Sequence, residues 1–387
     1  MKKYIEEYCV GCGLCKSIDN TELRMDKKGY LHPVNGNDEL LEKICPASGE
    51  QLKDMDLNKI WGREEGVYIG WSNDTMVRQQ ASSGGAITEI TSYLLEKNIV
   101  DGIIHVTKDE LNPTKTEICI SCTRAELLSR CGSRYAISSP LAEMDKLDSS
   151  KKYAFVGKPC DITALTNYMR INERMREMIP YTISFFCAGL PSVDAQKNLI
   201  QRLGCEKEVV DLRYRGNGWP GYTTAIDENG KSYQLDYDTS WGHILGRDIM
   251  KACRFCLDGI GEMADISCGD AWFITNDNKP DFEEHDGRNV VFARTEKGKN
   301  LLMQMQQENN IHLEEFADYE DTLKIIQTYQ YERKATMKVK LMGMRCFMKK
   351  PPNYPLKQMD NLDCQISKDK KKKIFVGTIK RIIKGKM

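Results

Sequence analysis

Val67-Tyr68-Ile69-Gly70-Trp71, then Gln80-Ala81-Ser82-Ser83-Gly84-Gly85, then Ile103-Ile104-His105-Val106 all lie within residues 67–106. Between the second and third of these segments, Ile87, Ile90 and Leu94 recur at the spacing of one helix face. Strand, Ser/Gly turn, helix and strand in that order is the signature of an α/β fold. A second unit repeats the logic. Tyr153-Ala154-Phe155-Val156 has the look of a buried strand, runs into Gly157-Lys158-Pro159-Cys160, and is followed by a helical pattern from Asp161 to Met169. Another strand, Thr182-Ile183-Ser184-Phe185-Phe186, ends at Cys187-Ala188-Gly189. Two cysteines thus stand just past the carboxyl ends of strands, where open α/β sheets place their sites.

Before this body comes a different kind of segment. Cys9, Cys12 and Cys15 form C-x2-C-x2-C, and a Cys-Pro pair, Cys45-Pro46, follows downstream. In a two-cluster ferredoxin each run gives three thiolates to one cubane and its fourth cysteine, the one before proline, to the other. Here Asp19-Asn20 stands where the first Cys-Pro belongs, so one four-cysteine site survives and the other is erased as a set. Residues 1–60 otherwise carry few apolar runs and several turn signals, which suits a small module organised by a cluster. A four-cysteine zinc site competes for the same residues. Zinc modules usually pair C-x2-C with C-x2-C or with histidines, so a third cysteine at x2 and a Cys-Pro partner favour iron–sulfur.

Fifteen cysteines is a high, odd number in a chain of 387 residues, and the spacings are those of metal ligands. A disulfide framework is not expected, and reduced cytosol is the compartment inferred. Met1 to Glu7 has no apolar core before the cysteine motif. No signal peptide is expected there, because cleavage would remove ligands. Net charge is zero and no stretch approaches 18 apolar residues, so neither nucleic acid nor a membrane span is expected.

Cys253 and Cys256 form another C-x2-C pair, and with Cys160 and Cys187 they make a second set of four drawn from three segments. Cys119 and Cys122, with Cys131 nearby, compete for that role, and spacing alone does not choose. Ser82-Ser83-Gly84-Gly85 opens a helix and offers backbone N–H groups, hydroxyls and the helix dipole to a phosphate, although a Ser/Gly cap needs no ligand. Gly132-Ser133-Arg134-Tyr135 offers amides and a phosphate-pairing arginine, or is an ordinary turn. Asp265 and Gly269-Asp270 are site carboxylates or turn formers, and the sequence alone favours turns. The histidines show no metal spacing, and no acid/base dyad can be named. The tail is basic: Lys368 and Lys370 to Lys373 lead into Ile374, Phe375, Ile379, Ile382 and Ile383, interleaved with Lys380, Arg381 and Lys384. It forms a short amphipathic helix suited to solvent, a partner or the surface of a membrane.

In this order the motifs resemble the beta-subunit family of coenzyme F420 hydrogenase/dehydrogenase, iron–sulfur flavoproteins that include deazaflavin-dependent subunits and plant chlorophyll-pathway reductases. The resemblance rests on the ferredoxin-like start and Ala81 to Gly85, then on Gly132 to Tyr135, Val156 to Cys160 and Phe186 to Ser192. Cys253 to Cys256 and Ala264 to Trp272 complete it. It implies FAD, with Ser82, Ser83, Gly84, Gly85, Ser133, Arg134 and Tyr135 as contacts. It also implies a second 4Fe–4S cluster on Cys160, Cys187, Cys253 and Cys256, beside the first on Cys9, Cys12, Cys15 and Cys45, and leaves Cys119, Cys122, Cys131 and Cys268 incidental. The expected architecture is a ferredoxin-like α+β cluster module (1–60) followed by a mixed α/β flavin-binding body (61–150 and 151–345) and a basic tail (346–387). The expected function is a cytoplasmic oxidoreductase passing electrons between clusters, FAD and a redox carrier such as ferredoxin or F420. A non-catalytic electron-transfer subunit and a zinc-stabilised scaffold are the alternatives. Similar bacterial proteins are associated with cell-surface polysaccharide synthesis, an analogy of fold alone.

Overall fold

A computed structural model describes residues 3–347 and 351–383 of the chain. The cysteine-rich start holds a short hairpin of β1 (Leu23–Met25) and β2 (Leu31–Pro33). The body begins with β3 (Gly66–Ser72), β4 (Gly102–Lys108), β5 (Thr116–Ser121), β6 (Tyr153–Gly157) and β7 (Tyr181–Phe185). An antiparallel trio, β8 (Val209–Arg213), β9 (Thr223–Asp227) and β10 (Ser232–Leu235), forms a separate small sheet. Then β11 (Ile266–Asp270), β12 (Asn289–Ala293) and β13 (Ile311–Glu315) return to the main sheet, whose order is β13-β3-β12-β11-β7-β6-β4-β5.

The four central strands, β11, β7, β6 and β4, run parallel, and the flanking pairs are antiparallel. Parallel strands are covered on both faces, and β6 is accordingly a near-continuous apolar run, whereas β7 alternates and buries Thr182 and Ser184 through hydrogen bonds to the Asp265 carboxylate and the Gly157 carbonyl. Ala154, Phe155 and Ile183 are fully buried. The helix Ala86–Glu96 covers one face through Ile90 and Leu94, and Pro159–Ile171 contributes Ile162 and Leu165 to the other core. The architecture is the expected mixed α/β one.

One expectation is corrected. Gly269-Asp270 is not a turn: Asp265 lies in the bend that leads into β11, but Ile266–Asp270 is a strand between β7 and β12, and Gly269 packs so close to Phe186 that a Cβ would lie 2.5 Å from its ring. Glycine and aspartate here answer to neighbours distant in sequence, which local turn chemistry cannot register. The basic stretch is helical (Lys368–Ile383), and part of its apolar face is covered. Thr378 and Ile382 are buried, Ile374 and Phe375 pack on the core, and the helix lies along Met337–Cys346. Part of the face a membrane-surface helix would insert is therefore covered, while Val376 and Ile383 (70% exposed) stay in solvent. Lys384 lies outside the described residues. Among those described, no helix is long and apolar enough to cross a membrane.

The cysteine-rich start does not hold itself together by a cluster alone. Ile5, Tyr8, Leu14, Leu41 and Ile44 share one core with Ile162 and Leu165 of the body and Met337, Leu341 and Ile382 of the C-terminal helices. Leu41→Ala removes a fully buried side chain from that shared core and should cost about 2–5 kcal/mol. The loss should appear in the unfolding transition reported by the fluorescence of Trp219 and Trp272, which lie in the body. A separate unfolding phase that left this signal unchanged would show that the start folds independently.

Candidate redox site

Cys9 and Cys12 lie on a loop bent by Gly11 (φ 69°) and Gly13 (φ 87°), both in the left-handed region that favours glycine. The bend turns amides toward sulfur: the Gly11 N–H donates to Cys9 Sγ at 3.3 Å. Cys15 sits in the first turn of Leu14–Asp19, and Cys45 follows Asp38–Ile44 and precedes the turn at Pro46. Burial pushes all four thiols above their ordinary range. Cys9 is pushed further by Cys45 and Cys15, Cys12 by Cys15 and Cys9, and Cys45 by Cys12 and Cys15, so the four share one neighbourhood. Asp19, where a further ferredoxin cysteine would stand, ties the loop instead: its Oδ2 accepts from the Asn37 N–H (2.8 Å) and the Thr21 hydroxyl (3.3 Å).

Cys160 stands in the first turn of Pro159–Ile171 just after β6, Cys187 just after β7, and Cys253 and Cys256 at the end of Lys251–Arg254. The fold brings these four to the wall of one cavity of about 70 Å³. Tyr8, Val10, Pro46 and Ala47, chain neighbours of Cys9 and Cys45, line the same cavity. The Leu190 N–H donates to Cys253 Sγ at 3.4 Å. Burial pushes Cys253 up to about 12 and Cys256 up to about 11. The competing cysteines stand elsewhere. Cys119 Sγ is 3.3 Å from His105 Nε2, and burial holds the thiol up at about 11 and the imidazole down at about 4. Both are neutral near pH 7, which is not the arrangement of an activated nucleophile. Among the described residues, no three His, Cys, Asp or Glu side chains converge closely enough to hold a single metal ion.

A larger cavity of about 310 Å³ opens at the carboxyl ends of β6, β7 and β11. Ser82, Ser83, Gly85, Ser133, Arg134 and Tyr135 all line it, as do Ala86, Ile87 and Thr88 in the first turn of Ala86–Glu96. Gly84 does not line the cavity but fits the turn against the sheet: a Cβ there would lie 2.8 Å from Arg288 Cα and 2.9 Å from the Gly70 carbonyl. The Ser83 hydroxyl donates to the Arg288 carbonyl (2.9 Å), and Asn289 Oδ1 accepts from the Ala86 N–H (3.2 Å). Ser82 Oγ is buried without a hydrogen-bond partner. Arg134 differs from the phosphate-pairing role expected of it. Its Nη groups are spent on the carbonyls of Leu212, Pro113 and Lys115, and only Nε is left without a partner.

A charge pair that no local pattern announces closes the far wall. Arg215 and Asp270 meet in a two-bond ion pair (2.8 and 2.9 Å), and Trp219 Nε1 donates to the same carboxylate at 2.8 Å. Tyr237 and Trp272 flank the guanidinium, and Tyr135 packs on Trp241. Fifty-five residues separate the charged partners, so no local pattern could announce them. Finally, Lys158, Cys187, Gly189 and Leu190 line both cavities and form the wall between them. Lys158 Nζ is fixed there by Asp161 (2.7 Å) and Ser138 (3.0 Å).

The model for "Coenzyme F420 hydrogenase/dehydrogenase, beta subunit N-term" matches residues 67–144, and its C-terminal counterpart matches residues 150–319. A coenzyme F420-dependent sulfite reductase of Methanocaldococcus jannaschii is 25% identical over 79% of this chain, which spans only 47% of that protein. The coenzyme F420 hydrogenase subunit beta of Methanococcus voltae is 25% identical over 68% of this chain and 89% of its own. A chain of the F420-reducing [NiFe] hydrogenase complex of Methanosarcina barkeri shares the fold, with a TM-score of 0.59 at 19% identity over 76% of this chain and 98% of that one. The chain belongs to the coenzyme F420 hydrogenase/dehydrogenase beta-subunit family.

Proposed function

We propose that the chain is an iron–sulfur flavoprotein oxidoreductase that passes electrons between 4Fe–4S clusters and FAD, and between FAD and a hydride partner such as coenzyme F420 or another small molecule. The observation that carries this reading is the shared wall. Cys187 and Lys158 line both the cavity of the second cysteine set and the cavity of the Ser/Gly turn, and residues flanking the first set line the former. Sites that share lining residues are near neighbours, and relayed electron transfer requires such proximity.

The donor sets suit the groups. Buried thiols with N–H donors favour binding of soft, positively charged iron, and cubane ligands stand farther apart than those of one zinc ion. Ser82 Oγ and the first turn of Ala86–Glu96 would hold a phosphate of the flavin at the positive end of the helix. Tyr135, Tyr237 and Trp241 supply an aromatic wall that excludes water and stacks a planar ring. When bound, FAD exchanges two electrons with a hydride carrier and single electrons with a cluster. Lys158 holds a fixed positive charge beside that exchange. Relatives that bear the name of subunits favour a second reading, an electron-transfer subunit that docks on a partner enzyme. It differs in predicting clusters without turnover of any hydride donor.

Protein purified without oxygen should carry about eight iron atoms with matching sulfide, together with FAD. Absence of both iron and flavin overturns the reading, and zinc in place of iron supports a scaffold. Cys45→Ser should release about half of the iron and leave the remainder on the body. Gly84→Ala should push the Ser82–Gly85 turn off the sheet and weaken FAD binding about tenfold, roughly 1.4 kcal/mol. Flavin titration would measure this, with iron per chain unchanged.

A further inference from the structure

The helix Lys368–Ile383 carries seven basic residues and one acidic residue, in a chain whose 56 basic and 56 acidic residues cancel. The rest of the chain is therefore net acidic, and a strong excess of positive charge is gathered at one place. The helix is also fixed in its orientation. Thr378 and Ile382 are buried, Ile374 and Phe375 pack on the core, and Lys370 Nζ pairs with Glu332 (2.5 Å). Gly343 of the helix Met337–Cys346 lies so near that a Cβ there would stand 3.1 Å from Thr378 Cγ2.

Fixing one face decides the other. Lys372, Val376, Lys380 and Ile383 recur at i, i+4, i+8 and i+11, a single stripe of the helix. All four are exposed, and so is Lys373 beside them. Val376 is 39% and Ile383 70% exposed. Among the described residues, Lys372, Lys373 and Lys380 make no ion pair. Aliphatic side chains scattered singly over a surface need no explanation. Here they alternate with unpaired lysines along one stripe, within the basic helix.

The composition of that stripe chooses among anionic partners. Fitted protein interfaces favour arginine and aromatic side chains and are poor in lysine, whereas six of the seven basic residues of this helix are lysines. A nucleic acid would take the ammonium groups and leave Val376 and Ile383 in water. A lipid surface uses both kinds of side chain. A lysine is a mobile point charge suited to a diffuse layer of phosphates, and its stem runs along apolar surface. Aliphatic side chains enter between the headgroups.

We propose that the outer face of this helix docks on an anionic phospholipid surface through Lys372, Lys373 and Lys380, with Val376 and Ile383 inserted among the headgroups. The inward face stays packed on the protein, so the helix binds without leaving the fold. Contact is shallow, reversible and weakened by salt. This placement is independent of what the cysteine sets and the larger cavity hold.

Sedimentation of the full chain with vesicles tests it. Vesicles of equal parts phosphatidylglycerol and phosphatidylcholine should carry the protein down, vesicles of phosphatidylcholine alone should not, and added salt should release it. Lys372→Glu combined with Lys373→Glu and Lys380→Glu should lower the partition coefficient at least about tenfold. The same change at Lys27, Lys197 and Lys279, exposed elsewhere on the molecule, should lower it far less. Val376→Ser combined with Ile383→Ser should weaken binding about fivefold while its need for phosphatidylglycerol persists. Every substituted position is exposed, so the melting temperature should hold. No sedimentation with phosphatidylglycerol overturns the proposal, and so does an equal loss in the control triple. Binding that ignores the Val376→Ser and Ile383→Ser changes and is matched by binding to duplex DNA would assign the face to polyanions at large and overturn the lipid reading.

Discussion

The position of Cys187 at the end of β7 is the constraint on which the site depends. In the parallel pairing of β6 with β7, Gly157 stands opposite Ser184, and the Ser184 hydroxyl donates to the Gly157 carbonyl at 3.0 Å. Both chains therefore leave the sheet on the same side, one through Lys158 and the other through Cys187. Parallel strands gather their carboxyl ends, and the crevice beyond those ends is where α/β sheets place ligands. The loop after β7 is then pinned from both directions. The Cys187 N–H donates to the Gly259 carbonyl (2.8 Å), and its own carbonyl accepts from Arg333 and Gln330. A backbone held by this many bonds keeps Cys187 in the wall of two cavities.

Much of this was legible because the chemistry is local in sequence. The run from Cys9 to Cys15, the Ser82–Gly85 turn before an apolar helical stripe, and Cys160 and Cys187 after apolar strands each announce themselves within a few residues. What was not legible depends on pairs far apart. Arg215 finds Asp270, Asn289 caps the Ala86–Glu96 helix, and Arg333 finds Cys187, each across tens to hundreds of residues. Asp270 misled in one direction, since Gly-Asp favours turns until a strand on either side claims it. Arg134 misled in the other: a guanidinium near a Ser/Gly turn suits a phosphate, yet three backbone carbonyls consume it. The tail shows the same limit. Amphipathicity specifies that a face must be covered but not by what, and here the helix Met337–Cys346 covers part of it.

Burial of charge also explains how the cysteine-rich start keeps its place on the body. Glu262, whose side chain is fully buried, accepts from the N–H groups of Asp56 (2.6 Å) and Arg63 (3.3 Å) and lies 3.7 Å from Lys334. Gly62 passes so near that a Cβ would lie 2.5 Å from the carboxylate. Arg294 completes the clasp, donating to the carbonyls of Trp61 (2.6 Å), Arg63 (2.9 Å) and Ile260 (3.1 Å). Such a network is poor evidence of net stability, because desolvation offsets most of the attraction. Its use is positional. An apolar contact tolerates sliding, whereas a buried carboxylate that loses an N–H donor is left uncompensated at a cost of kcal/mol. The segment that joins the first cysteine set to β3 is thereby fixed to the loop before β11, a few residues beyond Cys256. The separation of the two cysteine sets is then a property of the fold rather than of a flexible linker, and functional constellations depend on that rigidity in their supporting residues.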